Sequence, residues 1–145
     1  MSISSTRPQA LPPLRRVLIV GGGGREQALA WALSRNGEIT TVWIAPGNGG
    51  PEGQAIDLAE TDSDALVAFC RQEKVDLVVV GPEAPLAAGV ADALRSAEIA
   101  VFGPDAAGAQ LEASKAWAKQ LMQDAAVPTA GHWSCLLYTS PSPRD

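Results

Sequence analysis

Short apolar runs separated by amphipathic stretches dominate the chain. Four runs rich in valine, isoleucine and leucine each end at a glycine or a proline: 16–20 (RVLIV), 41–45 (TVWIA), 76–80 (DLVVV) and 100–102 (AVF). Because the apolar residues are continuous rather than alternating, both faces of these segments are expected to be buried, as in a parallel sheet.

Helical patterns lie between these runs and after the last one. They cover 25–34, 63–74, 86–97 and 106–124. Asn36-Gly37 is a typical stop signal for the first helix, and the residues 61–64 (TDSD) fit a capping box at the start of the second. The alternation predicts an α/β fold of the Rossmann-like, doubly wound type, with helices on both faces of a parallel sheet.

The same patterns divide the chain into four segments. We expect a disordered leader over 1–15, the Rossmann-like domain over 16–104, and a connector helix leading out of it over 105–133. Residues 134–145 (SCLLYTSPSPRD) are rich in serine and proline and follow no period. They are interpreted as a non-native tail, with an ordinary disordered C-terminus as the alternative.

Composition excludes several classes of protein. The 145 residues are 46% hydrophobic with a formal net charge of −5, which argues against a nucleic-acid-binding module. No apolar run reaches the roughly 18 to 20 residues that cross a bilayer. Cys70, Cys135 and the single His132 have no metal-ligand spacing, so no metal site is expected. Two cysteines fit a reducing compartment, and we expect a cytoplasmic protein.

The sharpest local signal is a run of four glycines between the first strand and the first helix, within VLIVGGGGREQAL. Glycines let the backbone approach a ligand closely, and the N–H groups at a helix N-terminus attract anions, most naturally phosphate. Arg25 either adds a charged contact to such a ligand or is a solvated surface residue. Glu26 is also well placed to interact with the helix dipole.

A dinucleotide-binding site is disfavoured. In the G-x-G-x-x-G fingerprint, the third glycine position is Glu26 when counting from Gly21, and Gln27 when counting from Gly22. The acidic residue expected at the end of the second strand is also replaced, by 45–48 (APGN). Two alternative functions therefore remain: an NAD(P)-binding oxidoreductase domain and a non-catalytic sugar-phosphate-binding module.

Two further loops follow predicted strands. The loop 45–50 (APGNGG) either forms plain turns or covers a ligand at the carboxyl ends of the strands. Glu83 stands between Pro82 and Pro85, and the local sequence supports equally a rigid ligand acceptor and an ordinary helix-start residue. Lys115, taken alone, is typical of a solvated helix surface.

Together these residues strongly resemble the N-terminal region of the phosphoribosylamine–glycine ligase (glycinamide ribonucleotide synthetase) family, a member of the ATP-grasp superfamily. The matching stretches cover 16–130 in the family's order and spacing: VLIVGGGGREQALAW, VWIAPGNGG, DLVVVGPEAPLAAGVADALR, FGPDAAGAQLEASKAWAKQLM and VPTA. No single stretch is unique, but the set is specific.

The resemblance implies an activity that composition does not show. The family joins glycine to 5-phosphoribosylamine with ATP and Mg²⁺ (or Mn²⁺), through an acyl phosphate of glycine, in purine biosynthesis. It also implies that 105–133 forms the connector helix and the start of an ATP-grasp domain, and that this chain stops before its catalytic residues and is inactive alone. We expect a monomer. The residues it assigns to phosphoribosylamine are Gly22, Gly23, Gly24, Arg25, Glu26, Pro46, Gly47, Asn48 and Glu83, and it assigns Lys115 to ATP.

Two positions depart from the family pattern. The family usually has asparagine where Gly22 stands and histidine where Gln27 stands. Gly22 keeps the backbone donors but loses a side-chain donor. Gln27 keeps hydrogen-bonding capacity but cannot titrate near neutral pH.

Overall fold

The computed structural model describes residues 13–132, and the expectations for 1–12 and 133–145 lie outside that range. The elements follow one another in the order β1 (Arg16–Gly21), α1 (Gly24–Ser34), β2 (Thr41–Pro46), β3 (Gln54–Ala55), α2 (Ser63–Glu73), β4 (Leu77–Val80), α3 (Glu83–Ala87), α4 (Val90–Ser96), β5 (Val101–Phe102), α5 (Ala106–Ala113) and α6 (Lys115–Asp124). The predicted α/β alternation is confirmed.

All five strands are parallel, in the order β3-β2-β1-β4-β5. The central strand β1 pairs with β2 from Arg16 to Gly21 and with β4 from Val17 to Val20. These three strands therefore end level with one another, and the loops that follow them meet at one edge of the sheet.

Both faces of the sheet are buried, as the continuous apolar runs predict. Leu18 and Val20 of β1 point to the face packed by α2, α4 and Ala109 of α5. Val17 and Ile19 point to the opposite face, which Ala30 of α1 covers. Helices on both faces confirm the doubly wound architecture.

Three elements differ from the sequence prediction. The two-residue strand β3 was not predicted, because a polar, exposed pair carries no apolar pattern. The predicted helix 86–97 is two helices, since Gly89 adopts φ 87° between α3 and α4. The predicted helix 106–124 is also two, because Ser114 is extended and its hydroxyl accepts the N–H of Trp117 to start α6.

Helix capping also differs from the prediction. Asp62 caps α2 by accepting the N–H of Ala65 at 3.0 Å, but alanine at that position cannot return a side-chain bond, so no capping box forms there. At α1 only the returning half of such a box forms, because Glu26 accepts the N–H of Gly23 but glycine has no side chain to cap the helix. Within residues 13–132, no helix is long and apolar enough to cross a membrane.

Four contacts fix the starts of the strands, at the edge of the sheet away from those loops. One carboxylate oxygen of Asp76 accepts the N–H groups of Arg15 and Arg16, both at 2.8 Å. The guanidinium of Arg16 then pairs with Glu73 at 3.3 Å and lies 5.3 Å from the centre of the Trp43 ring. These contacts join the start of β1 to the end of α2 and the start of β4.

Cys70 lies on the inner face of α2 and is 2% exposed. Burial raises the pKa of its thiol from 9.0 to about 11, because a thiolate would lose its hydration in this apolar core. The folded chain therefore retains the thiol proton at pH values where the unfolded chain has lost it.

We expect the free energy of unfolding to fall between pH 9.0 and about 11, because the unfolded thiol ionises first. The loss approaches about 1.4 kcal/mol per pH unit within this window and vanishes below it. Urea unfolding of the chain and of Cys70→Ala at a series of pH values measures the effect. Parallel stability curves for the two proteins above pH 9.0 would contradict the assignment.

Candidate functional site

Three loops meet at the carboxyl edge of the sheet. They are the glycine loop (21–24) after β1, the second loop (46–53) after β2 and the third loop (81–83) after β4. The chain runs outward from β1 through β2 to β3 and then crosses to β4 on the other side of β1. The order of the strands therefore reverses between β1 and β4, which is where open α/β sheets bind ligands.

A buried carboxylate lies in this crevice. Glu26 is 3% exposed, although it stands in the first turn of α1. Its Oε2 accepts the N–H of Gly23 at 2.8 Å, and its Oε1 accepts the Nε of Arg25 at 3.2 Å. A buried carboxylate needs such partners, and the positive end of the helix dipole adds to them.

Glycines surround that carboxylate. A Cβ on Gly81 would lie 2.0 Å from Glu26 Oε1, and one on Gly23 would lie 2.6 Å from Oε2. At Gly21, with φ 130°, a Cβ would meet both Glu26 and Pro82 within 2.8 Å. The glycine and third loops approach each other this closely only because these positions carry no side chain.

The glycine loop offers fewer unpaired donors than the sequence predicts. The N–H of Gly23 is already taken by Glu26, whereas in the described part of the chain no acceptor takes the N–H of Gly24 or Arg25. The Arg25 side chain is 62% exposed. Two backbone donors and one accessible guanidinium therefore face solvent at the start of α1.

The second loop is tied to α1 and to the glycine loop by side-chain amides. Gln27 donates from Nε2 to the carbonyl of Glu52 at 3.0 Å, and Asn48 donates from Nδ2 to the carbonyl of Gly23 at 3.3 Å. A Cβ on Gly22 would lie 2.8 Å from the carbonyl oxygen of Gly47. The two departures from the family pattern, Gly22 and Gln27, thus both lie where these loops touch.

The remaining predicted residues border the same edge. Pro46 ends β2 and follows a cis peptide bond, and Gly47 adopts φ 80° directly after it. Glu83 is the first residue of α3 and is exposed, so it stands at a helix start and its carboxylate is also open to a ligand. Lys115 is exposed at the first position of α6.

Comparison with known protein families shows which family this domain resembles. Residues 15–112 match the family described as "Phosphoribosylglycinamide synthetase, N domain". The chain belongs to this family. The N domain covers β1 to α5, including the three loops and Glu26, and the ligase interpretation is therefore favoured over a dinucleotide-binding oxidoreductase domain.

Curated relatives agree with this assignment. The N domain and its flanks are 46% identical over 134 residues to a phosphoribosylamine–glycine ligase of Synechocystis and 50% identical over 119 residues to that of Nostoc. A relative of the same name from Vibrio cholerae is 46% identical over 121 residues. The match takes in 79–90% of this chain but only 28–31% of the relatives' length.

Sequence reasoning missed two parts of the site. The sequence indicates Gly81 only as the end of a strand and Gln27 only as a departure from the family, yet one accommodates the Glu26 carboxylate and the other holds the second loop. Both roles depend on contacts between segments at least 25 residues apart, which no local pattern encodes.

Gly81→Ala should lower the free energy of unfolding by about 1–3 kcal/mol, because its methyl group displaces the Glu26 carboxylate from its hydrogen bonds. Gly24→Ala is the matched control. It has no heavy atom within 4 Å of the new Cβ and lies in a helix, so it should raise stability by up to about 1 kcal/mol. Urea unfolding compares the two variants, and equal effects would contradict the role given to Gly81.

Proposed function

We propose that this chain is the phosphoribosylamine-binding part of an enzyme that joins glycine to 5-phosphoribosylamine with ATP, giving glycinamide ribonucleotide in purine biosynthesis. Membership of the N-domain family supports this assignment, as do the names of the relatives. The observation that carries it is the crevice between β1 and β4, where unpaired N–H groups, Arg25 and the Glu26 carboxylate lie within a few residues.

The charges in the crevice suggest how a sugar phosphate is oriented. Glu26 already compensates the positive end of α1, so a phosphate placed against its carboxylate would meet like charge. The ribose hydroxyls or the amine, which donate hydrogen bonds, are the better partners for the exposed carboxylate of Glu83, and we propose that the buried Glu26 acts by holding the Gly23 N–H and Arg25 in place. We place the phosphate toward the Arg25 guanidinium and the N–H groups of Gly24 and Arg25.

The second loop completes the proposed pocket. Pro46, Gly47 and Asn48 follow β2 directly, and Asn48 reaches back to the glycine loop. Because Gly22 has no side chain, the carbonyl oxygen of Gly47 can lie close to it. We propose that these residues bound the sugar on the side away from β4, and that their backbone groups contribute its remaining contacts.

ATP is proposed as the co-substrate, with Lys115 as its contact on this chain. Lys115 is exposed at the start of α6, where its side chain can extend toward a phosphate. For Mg²⁺, His, Cys, Asp and Glu side chains within 13–132 form no group of three or more that fits a metal ion, and we assign it to no residue there. We further propose that the enzyme is a cytoplasmic monomer.

Ribose 5-phosphate should bind the chain weakly, with a Kd of about 1 mM, because the pocket is formed by backbone groups and a few side chains. Amide chemical-shift changes in a nuclear magnetic resonance titration are expected at 22–26, 47–48 and 83. Gly23→Val should weaken binding at least about tenfold, since its Cβ meets Glu26 Oε2 at 2.6 Å.

Gly37→Val is the control for that substitution. Its Cβ meets no heavy atom within 4 Å, and it lies beyond the other end of α1. Binding should be unchanged in this variant. Shifts that cluster elsewhere on the chain, or equal affinity of the Gly23→Val protein, would count against the proposed pocket.

The chain alone should release no ADP above background when supplied with glycine, phosphoribosylamine, ATP and Mg²⁺. It matches only 28–31% of the length of its relatives, and the reaction needs all three substrates held together. A coupled ADP assay tests this, with the complete Vibrio cholerae relative as positive control. Steady turnover by the 145-residue chain would refute the expectation.

A further inference from the structure

Few contacts hold the second loop (46–53) to the rest of the domain. None of its residues is buried, and in the described part of the chain no backbone–backbone hydrogen bond involves 47–53. Within residues 13–132, its hydrogen bonds to other segments come from two side-chain amides. Asn48 donates to the carbonyl of Gly23, and Gln27 of α1 donates to the carbonyl of Glu52. A loop with so few contacts opens at a low free-energy cost, so each of these bonds matters for its position.

Gln27 is the better anchored of the two amides. It is half-buried in the first turn of α1, where its backbone N–H donates to the Gly23 carbonyl at 3.2 Å, and its Nε2 donates to the Glu52 carbonyl at 3.0 Å. Asn48 is exposed, and its bond to Gly23 is longer at 3.3 Å. Gln27 therefore joins the end of the second loop to a helix, whereas Asn48 joins its beginning to the glycine loop.

Gly50 of the second loop lies directly against the Gln27 amide. A Cβ on Gly50 would overlap the Cδ, Oε1 and Nε2 atoms of Gln27, so the amide occupies the space that a side chain would need. The φ of Gly50 is outside the left-handed region, so backbone conformation does not explain the glycine. The contact with Gln27 explains it instead.

The position of the second loop affects how well the proposed pocket fits a sugar. If the loop must become ordered when a ligand binds, the ordering cost weakens binding, and the apparent Kd rises as the ordered fraction of the loop falls. The proposed phosphate donors are the N–H groups of Gly24 and Arg25 and the Arg25 guanidinium, all of which belong to α1. A contact that holds the loop should therefore affect the sugar of a ligand and not its phosphate.

We propose that Gln27 is a positioning residue for the sugar of the phosphoribosyl ligand. It acts through the second loop: its amide holds 50–52 in place, so that 46–48 meet the sugar without an ordering cost. This role rests on the proposed function of the crevice. It also fits the residue types at this position, because glutamine and the histidine that the family usually has there both carry a side-chain N–H donor.

Comparison of two ligands separates this role from a general effect on the crevice. Ribose 5-phosphate and inorganic phosphate are titrated into the 145-residue chain at one ionic strength, and binding is followed by amide chemical shifts. Gln27→Met keeps a side chain of similar length but removes the donor. The Kd for ribose 5-phosphate should rise about three- to tenfold, as expected for the loss of one hydrogen bond, while the Kd for inorganic phosphate stays within about twofold.

Further variants control for the substitution and for folding. Gln72→Met makes the same change at an exposed position of α2 and should alter neither Kd. Gly50→Ala keeps Gln27 but displaces its amide, so it should reproduce the loss for ribose 5-phosphate, and it serves as the test if Gln27→Met does not fold. Gln27→His restores an N–H donor, so its Kd for ribose 5-phosphate should lie within about threefold of that of the unsubstituted chain.

The outcomes distinguish this role from the proposed function of the crevice. Unchanged affinity of Gln27→Met for ribose 5-phosphate would overturn the role of Gln27 and leave the proposed function intact. An equal loss for both ligands would also overturn it, because that indicates general damage to the crevice, and so would a Gln27→His protein that binds as weakly as Gln27→Met. If the unsubstituted chain binds no ribose 5-phosphate, the proposed function fails and the role of Gln27 fails with it.

Discussion

The desolvated carboxylate of Glu26 is the interaction on which the geometry of the crevice depends. An ionised group that is 3% exposed is stable only with compensating partners, and here they are the Gly23 N–H, the Arg25 guanidinium and the start of α1. The third loop also packs against this carboxylate, which requires a residue without a side chain where the loop passes Oε1. That requirement explains why Gly81, and no larger residue, follows β4. The same edge of the sheet carries the unpaired N–H groups of Gly24 and Arg25 and the exposed carboxylate of Glu83, a combination suited to a ligand that carries both hydroxyls and an anion.

The sequence predicted the sheet well because the sheet is buried on both faces. Continuous aliphatic runs located β1, β2 and β4 within a residue or two, and the alternation with helices specified parallel strands. Edge elements were harder to predict. β3 has only two exposed residues, and the breaks at Gly89 and Ser114 arise where local hydrogen bonding and backbone conformation override a helical pattern that is otherwise continuous. Each break depends on the backbone conformation of a single residue. The spacing of apolar residues along a whole helix does not reveal where one residue departs from helical backbone angles.

The site was predicted less completely than the fold. The glycine loop, the second loop and Glu83 were found from the sequence because each directly follows a buried strand, and the carboxyl ends of parallel strands share one edge. Their mutual contacts were not found. The contacts of Gln27 with Glu52, Gly22 with Gly47 and Gly81 with Glu26 join different loops, so they follow from the tertiary fold. The burial of Glu26 also follows from the tertiary fold. No residue within three positions of it shows whether an acidic residue at a helix start is buried or solvated.

The short length of the two outer strands affects how readily the sheet can pair with strands of other molecules. Within residues 13–132, β3 and β5 contain two residues each, so each outer strand presents only a short row of backbone groups. A longer outer strand would offer a template on which a foreign strand could pair and start aggregation. The two-residue outer strands offer only a short template, and an acidic chain with a net charge of −5 adds electrostatic repulsion between copies. Association with other molecules is therefore expected through side-chain surfaces rather than through pairing of backbone groups at the sheet edges.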